Sequence, residues 1–291
     1  MKIAVAIASG TLKGVFAHGV LSALEEKGIY ANTYACSSSS TLSGGLAAVK
    51  KSREIGVDYW INVAQKSEKL NMSDVVLYSI DHYGKLIKSV IFNNNCAQLL
   101  VATSEVITEE ARILTQGNGA RKLGRKLLIQ ALKKDTSWVK ENLQKVLFSS
   151  KEDASNETLT FDNFNEVVYA STRMLHAWKT PAWVNDKAFI DGSYTCSCPA
   201  LELAQQNQFE AIIVISSDPL HCYNDLFQTT LLSQETVQAK KVYCIYPDFD
   251  LKEIGVDYTK ATEQGMRDAY NQGFKKGIEL AKNFIAEPLK I

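Results

Sequence analysis

The sequence has no excess of charge of either sign. Its 32 basic and 32 acidic residues cancel, so overall charge points neither to nucleic acid nor to a constitutive anionic surface as partner. Long apolar runs are missing too. No stretch approaches the roughly 18 consecutive apolar residues that mark a membrane-spanning helix. The apolar start, "KIAVAIA", is too short for the hydrophobic part of a secretory leader, and no cleavage pattern follows it. A cytoplasmic location is expected on these grounds. Proline is scarce, with five in 291 residues. No Pro/Gly-rich linker and no internal repeat divides the chain, so one domain over 1–291 is the simplest reading.

Cysteine and histidine are present without a pattern. Cys36, Cys96, Cys196, Cys198, Cys222 and Cys244 show no spaced disulfide framework and read as reduced, buried small residues. Cys196 and Cys198 form a C-x-C, but two ligands do not make a tetrahedral site. No Cys or His pair at ligand spacing supplies the rest. Neither metal nor cofactor is expected.

What is present is alternation of strand and helix signals. Apolar runs at 2–8, 32–36, 97–106, 187–191, 210–218 and 240–248 read as strands. Amphipathic periodicity at 13–28, 39–52 and 258–285 reads as helix, with Gly28 at a C-terminal cap and Met266, Tyr270, Phe274 and Ile278 along one face. The strand at 97–106 is expected to turn into a hairpin with "EARILT". Residues 120–148 read as helical with several basic positions, and 151–158 as a mobile polar loop. Strands alternating with helices imply an α/β fold: a three-layer α/β/α arrangement around a central, mostly parallel sheet.

Three stretches carry candidate chemistry. "ASGTLKG" (8–14) lies between a strand and a helix, where backbone N–H groups at the positive end of the helix dipole favour phosphate or a developing oxyanion. Gly10 and Gly14 permit a tight path and Lys13 adds a cation. Walker A and G-x-G-x-x-G are both absent, and a simple turn of small packing residues has the same look. "ACSSSSTLSGG" (35–45) has the layout of a nucleophile elbow, a serine on a sharp strand-to-helix turn. It also has the look of a serine-rich helix cap. The frame centred on Ser38 puts Leu42 as the first core-facing residue of the next helix and is preferred to Ser37. In "FIDGSYTCSCPALELA" (189–204), Asp191 ends an apolar strand, a place where open α/β sheets gather ligands. An Asp-Gly turn exposed to solvent would read the same way.

Taken together and in this order, the three stretches resemble the patatin-like phospholipase family. "ASGTLKGVFAHGVLSALEEKGI" is similar to the family's oxyanion motif and following helix. "YACSSSSTLSGGLAA" is similar to its G-x-S-x-G elbow. "LLVATSEVITEEARILT" and "YASTRMLHAWKTPAWVNDKAFIDGSYTCSCPALELA" look like its later strand and its D-G-G/A motif. The resemblance spans residues 2 to about 216, and loosely the last helix. It implies a serine acyl hydrolase acting on phospholipid or lysophospholipid esters through a covalent acyl-enzyme. Ser38 would be nucleophile, Asp191 base, and the N–H groups around Ser9, Gly10 and Thr11 the oxyanion hole. No histidine is required, in keeping with His18, His82, His176 and His221 having no clear place in a triad; His18 reads as packing or loop support. Implied partners are acyl lipid and transient contact with a membrane surface, but no nucleic acid. A free aspartate titrates near pH 4, so its surroundings would have to raise it.

Against the family's pattern, Ala8 and Ser9 replace loop glycines, Cys36 and Ser40 replace both elbow glycines, and Ser193 follows Asp191-Gly192. A catalytically impaired patatin-fold protein binding acyl lipid or a protein partner is therefore the alternative, and a phosphate-binding α/β protein using 8–14 is a third. Gly44, Gly45, Ala47 and Ala48 are expected to let the helix after the elbow accommodate the missing glycines.

Overall fold

A computed structural model describes residues 1–286. The strands are β1 (Ile3–Ile7), β2 (Thr33–Ser37), β3 (Gln98–Val106), β4 (Leu143–Ser149), β5 (Glu157–Thr158), β6 (Trp183–Val184), β7 (Lys187–Ile190), β8 (Ala211–Ile215) and β9 (Lys241–Ile245). They order as β5-β4-β3-β2-β1-β8-β9, with the β6–β7 hairpin leaning on β3. β3, β2, β1, β8 and β9 are mutually parallel, while β4 and β7 run antiparallel to β3.

The longer helices are α1 (Val15–Glu26), α2 (Ser40–Ala48), α3 (Asp58–Ser67), α4 (Met72–Ser79), α5 (Glu109–Gln116), α6 (Ala120–Leu132), α7 (Ser137–Asn142), α8 (Phe164–Thr172), α9 (Ala200–Gln205) and α10 (Glu263–Ala286). The strands sort their side chains by parity, as a sheet buried on both faces requires. Ile3, Val5, Ile7, Tyr34, Cys36, Ile213 and Ile215 enter one core with α1, α2 and α10. Ala4, Ala6, Ala35, Ile212 and Val214 enter the other with α9. This is the three-layer α/β/α arrangement with a mostly parallel sheet.

Chain order fixes where a ligand can sit. β1 has β2 on one side and β8 on the other, so the chain leaves β1 in one direction and later returns to its opposite flank. The crevice beyond the carboxyl end of such a strand is open to ligands because the flanking connections diverge. The loop 8–14 occupies it.

Several local expectations are overturned. "EARILT" is no hairpin strand but α5: Thr108 caps it by accepting from the Ala111 N–H at 3.4 Å, and Glu109 and Glu110 sit where the helix dipole favours negative charge. The helical reading of 120–148 fails after Leu132. Lys134 turns the chain through a left-handed φ of 56°, α7 is short, and Leu143–Ser149 pairs antiparallel with β3. At 151–158 the expected polar loop is present; Asp153 accepts from the Ser155 and Asn156 side chains within it, and its last two residues form β5 against β4.

The long C-terminal helix is present, but its buried stripe is not the set of large apolar residues at four-residue steps. Met266, Ala269, Gly273, Gly277 and Leu280 are buried, whereas Tyr270, Phe274 and Ile278 flank them half-buried. The glycines let two helix backbones touch. A β-carbon at Gly273 would lie 2.0 Å from the Phe16 carbonyl oxygen of α1, and one at Gly19 would lie 2.1 Å from that of Tyr270.

Gly273→Ala should therefore lower stability by about 1–3 kcal/mol, because the clash is with backbone and cannot be relieved by a rotamer change. Gly28→Ala tests the other glycine requirement. That residue has φ +69° with nothing within 4 Å of a built β-carbon, and its loss should stay near 1 kcal/mol. Urea midpoints of both variants check this; equal losses would remove the close-approach explanation.

Candidate active site

The turn from β2 into α2 is built around a strained serine. Ser38 has φ +57°, a left-handed conformation that costs a residue with a β-carbon roughly 1–2 kcal/mol. Surrounding groups hold it there. Its N–H donates to Ser171 Oγ at 2.9 Å, and that hydroxyl donates to the Ala102 carbonyl of β3 at 2.7 Å. Ser40 accepts from the Ser37 N–H at 3.0 Å, and its hydroxyl lies 2.7 Å from the Ser37 carbonyl and 3.0 Å from that of Ile7. The serine in the second elbow-glycine position thus closes the turn and ties it to β1. Cys36, in the first, is answered by Gly44: a β-carbon there would lie 2.1 Å from the Cys36 Sγ. Of the small residues of α2 expected to make room, Gly44 is the one facing the thiol.

The strain turns Ser38 toward Asp191, whose carboxylate is fully buried. Ser38 Oγ donates to Asp191 Oδ2 at 2.8 Å. The other oxygen, Oδ1, accepts from the Ser193 N–H at 2.8 Å and the Ser193 hydroxyl at 2.6 Å. The Asp191 backbone is fixed by its N–H donating to the Arg173 carbonyl at 3.0 Å and its carbonyl accepting from Ser104 Oγ at 2.8 Å. Ser37 faces elsewhere. Its hydroxyl is buried without a partner, against Gly192, where a β-carbon would lie 2.6 Å from it and 2.2 Å from the Ala102 carbonyl oxygen. The Ser38 frame is therefore the one the backbone realises.

Burial raises the Asp191 carboxyl from its ordinary 3.8 to about 6, against the opposing pull of the Ser193 and Ser38 hydrogen bonds. Among the described residues no cation offsets the burial. Arg173 is also fully buried, yet it directs Nε to the Thr180 carbonyl at 2.6 Å and Nη2 to the Thr115 carbonyl at 2.8 Å.

The loop after β1 departs from expectation in two places. The Ser9 N–H donates to the Ser197 carbonyl at 2.9 Å, and its hydroxyl pairs with that of Ser197 at 2.6 Å. Ser9 therefore leaves the set of free backbone donors. Lys13 adds no cation to the site. Its buried ammonium donates to Asp218 at 3.0 Å and Asp250 at 2.8 Å and lies over the Tyr258 ring. Desolvation opposes that charge, but the two carboxylates outweigh it and hold the ammonium protonated above its ordinary range. Among the described hydrogen bonds, none engages the N–H of Gly10, Thr11 or Ser39. Thr11 (φ 47°) and Ser39 border the same cavity as Ser38. Ser39 and the clamp residue Ser171 are not among the residues that motif reading singled out.

That cavity is narrow, about 40 Å³, and its walls are mostly apolar, among them Leu12, Leu42, Tyr59, Trp60, Val75 and Trp178. It has room for a water or two rather than for a lipid chain. Two wider depressions, along α6 and beside β9, lie away from Ser38. His18 supports the cavity wall: Trp60 Nε1–H donates to His18 Nδ1 at 2.9 Å, which leaves Nε2–H to donate to the Ser52 carbonyl at 2.9 Å. Burial lowers this imidazole to about 4, so it is neutral. No hydrogen bond joins any histidine to Ser38 or Asp191 among the described residues. Cys196 and Cys198 are buried free thiols, and the described residues contain no group of three or more His, Cys, Asp or Glu placed to hold a metal ion. No helix among them is long and apolar enough to cross a membrane. No protein-family model matches this chain, and no curated protein matches it.

Two measurements probe this geometry. Gly44→Ala should destabilise by about 1–3 kcal/mol through its clash with the Cys36 thiol. Cys36→Gly together with Gly44→Ala should recover much of that, giving a positive coupling in a double-mutant cycle; additive losses would show that the two do not share one space. For Asp191 the folded carboxyl keeps its proton up to about pH 6, while the unfolded one loses it near 3.8. Stability attributable to this group therefore falls as pH rises between those values, and the penalty is complete above pH 7. Two pKa units correspond to about 3 kcal/mol. Asp191→Asn should be the more stable protein at pH 7–8 by up to that amount, with the difference closing toward pH 4. Denaturant titrations at several pH values check this, and a gap independent of pH would count against the raised carboxyl.

Proposed function

We propose that this chain is a serine acyl hydrolase of the patatin-like kind, cleaving acyl esters of phospholipids or lysophospholipids in the cytoplasm. The observation that carries the reading is the 2.8 Å hydrogen bond from a backbone-strained Ser38 to a buried carboxylate without a cationic partner. Such a carboxylate is a stronger base than a solvated one, because burial penalises its charge. As Ser38 Oγ attacks the ester carbonyl carbon, its proton passes to Asp191 Oδ2. The carbonyl electrons move onto oxygen, for which the unengaged N–H groups of Ser39, Gly10 and Thr11 in the turn and loop are the donors. Collapse of that intermediate expels the alcohol, which takes the proton from Asp191, and leaves the acyl group on Ser38. Water then repeats the sequence with Asp191 as base and frees the acid. The apolar wall of the cavity favours an acyl substituent.

A second reading is that of an impaired patatin-fold protein that binds acyl lipid or a protein partner. The specific observation in its favour is the narrowness of the cavity at Ser38.

Turnover of a short-chain nitrophenyl ester separates the two. On the catalytic reading, kcat/KM rises about tenfold per pH unit below pH 6 and levels above it, following the Asp191 carboxyl. Ser38→Ala and Asp191→Asn each lower it by roughly three orders of magnitude or more. A fluorophosphonate should label the protein on Ser38 alone. Absence of both turnover and labelling across pH 5–9 would leave the binding reading.

A further inference from the structure

A chain whose charges cancel overall need not distribute them evenly. α6 presents Arg121, Lys122, Arg125, Lys126 and, just past its end, Lys133 along one exposed face. Their spacing by three and four residues puts them on adjacent turns of one side. No ion pair among the described residues engages any of the five. Asp135 lines the foot of the face; hydrogen bonds from Ser137 and Gln130, with a smaller part from the Lys126 charge, hold its carboxyl low. Two aliphatic side chains stand among the cations, Ile129 at 55% and Leu132 at 87% exposure. The opposite side of the helix is fixed in the core by Leu123 and Leu127, and Gly124 lets its backbone lie against Leu175 and His176.

We infer that this face of α6 is a docking site for an anionic lipid bilayer. Cations flanking exposed aliphatic side chains match the layers of an interface, with anionic headgroups outside and hydrocarbon beneath. A nucleic acid would satisfy the cations equally well, but it gives Ile129 and Leu132 no apolar phase, and the face carries no aromatic ring on which a base could stack. The position also connects to the cavity at Ser38. Arg121 Nε donates to the His176 carbonyl at 3.4 Å, and the segment holding His176 runs between Thr172 and Trp178, both in the cavity wall. A bilayer seated on α6 would thus lie beside that segment. The docking inference itself does not depend on the catalytic reading.

The test is co-sedimentation of the full chain with vesicles of neutral phosphatidylcholine, with and without about 30% phosphatidylglycerol, at low salt. Wild type should bind the anionic vesicles at least tenfold more tightly than the neutral ones, and lose most of that preference in 0.5 M NaCl. Each cation is worth roughly fivefold near such a surface. Replacing Arg121, Lys122, Arg125 and Lys126 together by Gln should therefore weaken binding by about two to three orders of magnitude. Ile129→Ser with Leu132→Ser should weaken it further without removing the salt dependence. An unchanged thermal midpoint shows that the variants remain folded, as expected for exposed positions. Arg121→Lys with Arg125→Lys, which keeps the charge, should bind like wild type and serves as the variant of choice if the Gln form unfolds. Equal binding to neutral and anionic vesicles would overturn the inference. So would undiminished binding by the folded Gln variant, or tighter binding of a single-stranded oligonucleotide than of anionic vesicles at the same salt.

Discussion

The left-handed backbone at Ser38 is the constraint on which the rest of the site depends. At φ +57° a residue with a β-carbon carries strain that its surroundings must offset. Here they do so from three directions. Ser171 holds the Ser38 N–H, Ser40 closes the turn and binds it to β1, and Gly44 admits the Cys36 thiol beneath it. The strain brings Ser38 Oγ to Asp191 and leaves Ser37 facing the Gly192 backbone. If the turn relaxed, no other serine of the run would be aimed at the carboxylate.

Cys36 and Ser40, at the places where the resemblance would put glycine, are both accommodated locally. Glycine in an elbow serves close approach of helix and strand. Close approach requires only that one side be bare, and in this chain the bare side is the helix at Gly44. Ser40 supplies a hydroxyl that binds three backbone groups in a turn otherwise short of partners. Ser193 follows the same logic, since its N–H and hydroxyl both serve Asp191 Oδ1. Those bonds favour the charged form, and burial overrides them. The carboxyl therefore sits high enough to act as a base near neutrality while remaining firmly oriented.

The layered fold was legible in the sequence because it rests on local signals, whereas the meeting of Ser38 with Asp191, 153 residues apart, was expected only from the resemblance that joins the three motifs. Apolar runs mark buried strands, and small residues at strand ends mark the turns. What was not legible depends on contacts distant in the chain. Ser171 lies 133 residues from Ser38, and nothing in "YASTRM" announces that its hydroxyl clamps a turn. Lys13 reads as a cation for the loop until Asp218 and Asp250, more than 200 residues away, are seen to take it. The strand at 143–149 was hidden because "LQKVLFS" follows a helical run without a strong breaker, and pairing with β3 decided it. In α10 the large residues mark one face, whereas the buried stripe is centred on glycines, whose contribution is the absence of a side chain.

Net charge says nothing of where the charges lie. Composition sums charge, while a surface arranges it. Lys13, the most deeply buried of the described lysines, is neutralised by two carboxylates, and the exposed cations of α6 are not. Burial accounts for the difference. An ammonium removed from water needs compensating acceptors if the fold is to hold, whereas an exposed one is solvated and needs none. Unpaired charge therefore collects where the solvent tolerates it, on the outer faces of helices. The field of five such groups reaches inward too: after burial, the Arg121 and Arg125 charges are the next causes lowering the His176 imidazole. An imidazole so placed resists taking on charge, so the basic character of the face rests on its arginines and lysines.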